Sequence, residues 1–232
     1  MEKLVFKFCN KMKRLFVFFI SASLFTSCIY AQRNELFTTT YTFSAFAMSS
    51  VRMIEANTLN GSLTVTGNAG SEAVVEMYVS GNSLRSRRLT KSNVDIKQYL
   101  EENYTVEVKV SGEKLLVVAK PKTENIMNFS ISFNITVPRQ MNTNLEITNG
   151  SVQISNLSGS QKFQTVNGSL TVENVSGKIF GRTTNGNVTV TNSNDDIDIR
   201  TVNGSIISED CNGKIILKTV NGKVNGQRVS RN

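Results

Sequence analysis

The sequence predicts an all-β solenoid built from an 18-residue coil, on three observations. Asn149-Gly150, Asn167-Gly168, Asn185-Gly186, Asn203-Gly204 and Asn221-Gly222 recur 18 residues apart without an insertion, which is the signature of a repeat architecture. A second turn signal falls nine residues on, at Ser158-Gly159, Ser176-Gly177, Asn194-Asp195 and Asn212-Gly213, so one coil holds two strands and two corners. Between corners, apolar and polar residues alternate with the period of 2 that belongs to strands.

Aligning the coils shows what each position is for. Val152, Leu170, Val188, Ile206 and Val224 form an aliphatic column two residues after each Gly. Leu157, Val175, Ser193, Cys211 and Val229 form a second, and Leu145, Phe163, Gly181, Ile199 and Leu217 a third. These columns are expected inside, and the polar column Glu146, Gln164, Arg182, Arg200, Lys218 outside. Asn and Gly both tolerate positive φ, which makes the pair a cheap sharp corner. Recurrent Thr165, Thr183, Thr201 and Thr219, with the corner Asn residues, are expected to form side-chain ladders along the stack. A lone coil cannot bury its apolar face; stacked on its neighbours it can.

The remaining segments follow in chain order. Lys3, Lys7, Lys11, Lys13 and Arg14 precede an apolar run from Leu15 to Phe25, as in a secretory leader. The run is shorter than the roughly 20 residues a membrane-spanning helix needs. Two processing sites compete: lipidation of Cys28 after Phe25-Thr26-Ser27, which ends the leader at residue 27, or cleavage after Ala31. Met12 offers a second start. An aromatic-rich strand holds Phe37, Tyr41, Phe43 and Phe46. Residues 58–65, Thr-Leu-Asn-Gly-Ser-Leu-Thr-Val, match 165–172 at seven of eight positions, so a first coil lies near 58–66, with its corner at Asn60-Gly61. A strand is expected over 73–80 and a short helix over 92–103 with Ser92 as its N-cap. Further strands are expected over 104–110, 115–120 and 128–137, and regular coils over 145–232, with 32–144 as the N-terminal portion and 40–232 as one continuous domain.

This order resembles the bacterial putative-adhesin family of β-strand-repeat envelope proteins: a leader, an early Asn60-Gly61-Ser62-Leu63-Thr64-Val65 coil, an inserted paired-strand segment, a strand ending in Val137-Pro138, then Asn-Gly coils. The resemblance covers roughly residues 40–232. It implies a right-handed single-stranded β-helix or β-roll and a location outside the cytoplasm, in the periplasm, outer membrane or cell surface. It implies no established biochemical activity.

Composition narrows the function classes. The chain has no His, which removes the commonest general base and transition-metal ligand. Its net charge of +8 is inflated by the leader. Residues 1–31 hold five of the 26 basic and one of the 18 acidic residues, so the remainder carries +4. No basic stripe with interleaved aromatics marks a nucleic-acid module. Beyond Cys9 and Cys28, only Cys211 remains, in an inward column, where it reads as a small buried residue. Asp195, Asp196 and Asp198 supply oxygen ligands in one coil only and read as a solvated corner. No catalytic, metal or cofactor site is expected. The candidate ligand contact is the cluster Arg85, Arg87, Arg88 and Lys91, which an acidic glycan or phospholipid head group would suit, although charge runs in loops are ordinarily solvated. The leading reading is a non-enzymatic adhesin-like or scaffolding protein of the envelope. Its partner would be a surface glycan or envelope protein, and it would meet the membrane only through a lipid anchor. The alternatives are a carbohydrate-active β-helix enzyme and a protein that self-assembles through its solenoid ends.

Overall fold

The computed structural model describes residues 38–81, 96–123 and 129–228. Strands dominate: β1 (Thr38–Ala47), β2 (Met53–Asn60), β3 (Leu63–Asn68) and β4 (Glu72–Ser80) precede a short helix, α1 (Ile96–Asn103). Then come β5 (Tyr104–Ser111), β6 (Lys114–Pro121) and β7 (Ser130–Pro138). From there longer and shorter strands alternate strictly: β8 (Asn142–Asn149), β9 (Val152–Ser155), β10 (Gln161–Asn167), β11 (Leu170–Glu173), β12 (Ile179–Asn185) and β13 (Val188–Thr191). The alternation ends with β14 (Ile197–Asn203), β15 (Ile206–Glu209), β16 (Ile215–Asn221) and β17 (Val224–Gln227).

The longer strands form an eight-stranded sheet ordered β16-β14-β12-β10-β8-β2-β6-β5. The shorter ones lie in a nine-stranded sheet ordered β1-β4-β7-β3-β9-β11-β13-β15-β17. From β8–β9 to β16–β17 every pairing is parallel, each residue opposite the one 18 positions later, as in Phe163↔Gly181 and Leu170↔Val188. The main-chain ladder continues through the corner, where the Gly168 N–H donates to the Asn185 carbonyl at 2.9 Å.

Alternation places the core between the sheets. Leu145, Phe163, Ile199, Leu170, Val172 and Val188 are 0–1% exposed, each contributing about 1.5–3 kcal/mol by burial. Gly181 belongs to this packing by its smallness: a Cβ there would lie 2.7 Å from the Phe163 ring and 2.7 Å from Ile199. Thr143 and Gln161 are inward polar residues, and they satisfy one another. The Thr143 hydroxyl donates to Gln161 Oε1 at 2.7 Å, and Gln161 Nε2 donates to the carbonyls of Met141 and Gly159.

The early repeat joins the later ones in space. β2 and β3 pair in parallel with β8 and β9 through Asn60↔Asn149 and Leu63↔Val152, across 89 residues of chain. The intervening segment leaves and returns on the other side of that level. β6 and β7 add a further parallel level on β2 and β3, and β5, β4 and β1 follow antiparallel. Helix α1 begins at Ile96; the expected cap at Ser92 lies outside the described residues. The helix buries Leu100, and Lys122 Nζ donates to the terminal carbonyls of Glu101 and Glu102, which a helix end otherwise leaves unpaired. Tyr99 and Tyr104 pack on Phe129, whose N–H donates to the Tyr104 hydroxyl at 2.9 Å. Of the β1 aromatics, Phe43 is buried and Tyr41 and Phe46 pack against the core; Phe37 lies outside the described residues.

At the far end the expected inward column changes. Val224 is 48% exposed where Val188 and Ile206 are 0%, because β17 and β16 have a neighbour on one side only among the described strands. Inward pointing gives burial only between two levels.

Candidate functional site

Cys28 and the cluster Arg85, Arg87, Arg88 and Lys91 lie outside the described residues. The corner residues are all placed, and they form one structural device. Asn149, Asn167, Asn185, Asn203 and Asn221 each donate a side-chain N–H to the amide oxygen of the Asn one level below, at 2.7–2.8 Å, and the ladder starts on Asn60.

The torsional reason expected for these corners holds at Gly61, Gly150 and Gly204, whose φ is 137–156°, and not at the other corner residues. None of the corner Asn residues has positive φ, and neither have Gly168, Gly186 or Gly222. Space is the reason common to the whole column: a Cβ on Gly168 would sit 1.9 Å from the Gly150 carbonyl oxygen, and one on Gly186 1.9 Å from that of Gly168. The left-handed column is at the other corner, at Asn156, Asn174, Asn192, Asp210 and Arg228, with φ of 48–58° at every eighteenth residue. Asn and Asp tolerate that region. The threonine expectation also changes. Thr165, Thr183, Thr201 and Thr219 donate to the carbonyls of Gly150, Gly168, Gly186 and Gly204 at 2.8–3.0 Å instead of forming a ladder among themselves. Cys211 is buried, its thiol 3.2 Å from the Glu209 carbonyl. The repeated residues are thus committed to the fold.

What remains for a partner is the outward side of the strands. On the eight-stranded sheet a groove of about 490 Å³ runs across β2, β8, β10, β12 and β14, lined among others by Glu146, Gln164, Arg182, Arg200 and Thr184. Register stacks Arg182 on Arg200 and Arg200 on Lys218. The adjacent outward column runs Lys162, Phe180, Asp198, Ile216.

Asp198 knits these columns together. Arg200 reaches it by a fork, Nε to Oδ1 and Nη2 to Oδ2, both at 3.1 Å. Arg182 reaches the same carboxylate through Nη1 at 3.0 Å, and its guanidinium carbon lies 3.8 Å from the centroid of the Phe180 ring. Partial burial pushes the Asp198 carboxyl up, but hydrogen bonds and charge from Arg182 and Arg200 outweigh it and hold the group below the usual carboxylate range. Of the other two acidic residues at this corner, Asp196 faces Lys178 at 3.8 Å and Asp195 accepts from the Asp196 N–H. At the groove's other end Glu146 accepts from Asn57 Nδ2 at 3.1 Å.

The result is a flat, partly apolar surface with oriented guanidinium groups. A guanidinium carries five N–H donors; Asp198 takes two from Arg200 and two from Arg182, fewer than either side chain carries. Sequence placed Arg182 and Arg200 in one outward column. Phe180 and Asp198 each stand two residues before one of these arginines on the same strand, but the Arg182–Asp198 contact that links the two pairs joins neighbouring levels.

No protein-family model matches the chain, and no curated protein matches it. Among solved structures, it is similar to a putative cell adhesion protein from Clostridium sporogenes, at 10% identity over 83% of this chain and 100% of that chain, with a TM-score of 0.42. It is also similar to a putative adhesin from Bacteroides fragilis, at 14% identity over 87% and 100% of the two chains, with a TM-score of 0.33. A putative adhesin from Parabacteroides distasonis matches at 10% identity over 84% and 94%, with a TM-score of 0.29. At such identities and scores, function has to be argued from this chain's own residues.

Proposed function

We propose that this chain is an exported, non-enzymatic protein of the bacterial envelope or surface, adhesin-like or scaffolding. Its two sheets are the walls of a right-handed β-solenoid of 18-residue coils within one domain spanning residues 40–232. One observation carries the reading: strands 18 residues apart stack in register, so the repeated residues serve corners and interior while the outward faces become long flat surfaces. Side chains on such a face stand in rows at the strand spacing of about 4.8 Å, which suits contact with an extended partner. The basic, then apolar, N-terminal segment supports export, with either Cys28 or residue 32 as the first residue of the processed chain.

The test is binding of the purified protein to intact cells and envelope fractions, together with adhesion and envelope integrity in a deletion strain. Saturable binding and impaired adhesion or integrity are expected. No binding with an unchanged deletion phenotype overturns the reading, and degradation of a polysaccharide by the purified chain moves it to the enzyme class. Mass spectrometry of the native N-terminus should find a lipidated Cys28 or a start at residue 32; an intact leader overturns export.

A further inference from the structure

We infer that the outward face of β10, β12, β14 and β16 binds an acidic polysaccharide, with Arg182 and Arg200 contacting its carboxylate groups and Phe180 supporting a sugar ring. The inference rests on the surface-binding reading above and assigns it a site and a ligand chemistry.

Charge selects the sign of the ligand. Lys162, Arg182, Arg200 and Lys218 all project from this face, against Asp198, which is already claimed by the two arginines. Glu146 stands two strands away from Arg182 and is held by Asn57. Geometry selects carboxylate recognition. Asp198 fixes both guanidinium planes, so less rotamer freedom is lost when they bind, and planar N–H pairs match carboxylate oxygens.

The other residues favour a sugar polymer over other polyanions. Phe180 is 39% exposed beside Arg182, giving an apolar surface for a ring's C–H face next to charged donors. Gln164, Thr148 and Thr184 line the groove with Arg182 and Arg200, bringing amide and hydroxyl groups that both donate and accept, as sugar hydroxyls require. The groove crosses successive strands of the stack instead of closing around a cavity, so it fits a chain better than a single small molecule.

The experiment compares the full chain with R182Q/R200Q and F180N in binding polygalacturonate and alginate, with dextran, single-stranded DNA and vesicles containing anionic lipid as the other arms. Gln164 and Asn144 already occupy the corresponding columns, so the substitutions use side chains the repeat accommodates; circular dichroism and thermal unfolding confirm folding. Expected are binding to the acidic polysaccharides that weakens with salt, little to dextran, and a loss of about tenfold or more in R182Q/R200Q, with a smaller loss in F180N. Equal affinity of R182Q/R200Q and wild type overturns the inference. So does DNA or lipid binding as strong as polysaccharide binding. If acidic polysaccharides are not bound while cells and envelope fractions still are, this inference falls and the surface-binding reading stands; if neither is bound, both fall.

Discussion

On the eight-stranded sheet the outward columns read Glu146, Gln164, Arg182, Arg200, Lys218 and Asn144, Lys162, Phe180, Asp198, Ile216. On the nine-stranded sheet the comparable columns read Gln153, Thr171, Thr189, Ile207, Asn225 and Ser155, Glu173, Thr191, Glu209, Gln227. One face is basic with an exposed aromatic ring. The other is hydroxyl- and amide-rich with isolated carboxylates. The inward sides of both sheets are chiefly apolar, with a few buried Thr, Ser and Gln side chains. The difference teaches that stacking constrains the inside and the corners, where each residue must fit the levels above and below, and leaves the outside open to diverge between sheets.

The comparison breaks if inward substitutions prove mild, and the largest effect tests this first. Phe163→Ala should cost about 3–5 kcal/mol in chemical denaturation, because Gly181 beside the ring offers no side chain to fill the hole. At the corner, Gly186→Val should cost about 1–3 kcal/mol by overpacking, since the new Cβ would overlap the Gly168 carbonyl; wild-type thermal unfolding would refute the space argument. Ser208 sharpens the rule from the opposite side. Its buried hydroxyl has no hydrogen-bond partner, so Ser208→Ala should raise stability by about 1 kcal/mol.

The smallest effect belongs outside. Because the folded Asp198 carboxyl is held below its usual range, its stabilising contribution is present above the ordinary carboxylate value and is lost as pH falls through the lowered folded value. Asp198→Asn should therefore reduce stability slightly at neutral pH, and its difference from wild type should shrink under acid. A difference that persists unchanged at low pH would remove the Arg182–Asp198–Arg200 arrangement as its source.

Much of this was legible in one dimension. The spacing of Asn149, Asn167, Asn185, Asn203 and Asn221 set the register of every later strand, and the match of 58–65 to 165–172 pointed to the early repeat. The reasons behind some residues were not. Asn at the corner supplies a ladder and Gly supplies clearance, with positive φ at Gly61, Gly150 and Gly204 only, whereas a left-handed torsion at every level belongs to the column from Asn156 to Arg228, whose mixed Asn, Asp and Arg composition hid it. Arg182 and Arg200 were visible as outward residues, yet their link through Asp198 requires side chains from adjacent levels.

By itself, the sequence determined which residues repeat, which side of a strand is apolar and where the chain turns, because these depend on neighbours at fixed short spacing. Only the tertiary structure decided that β2 and β3 stack on β8 and β9 across 89 residues, and that Phe180, Arg182, Asp198 and Arg200 form one surface. Both depend on contacts between levels, whose free energy comes from residues that are distant along the chain and adjacent only after stacking.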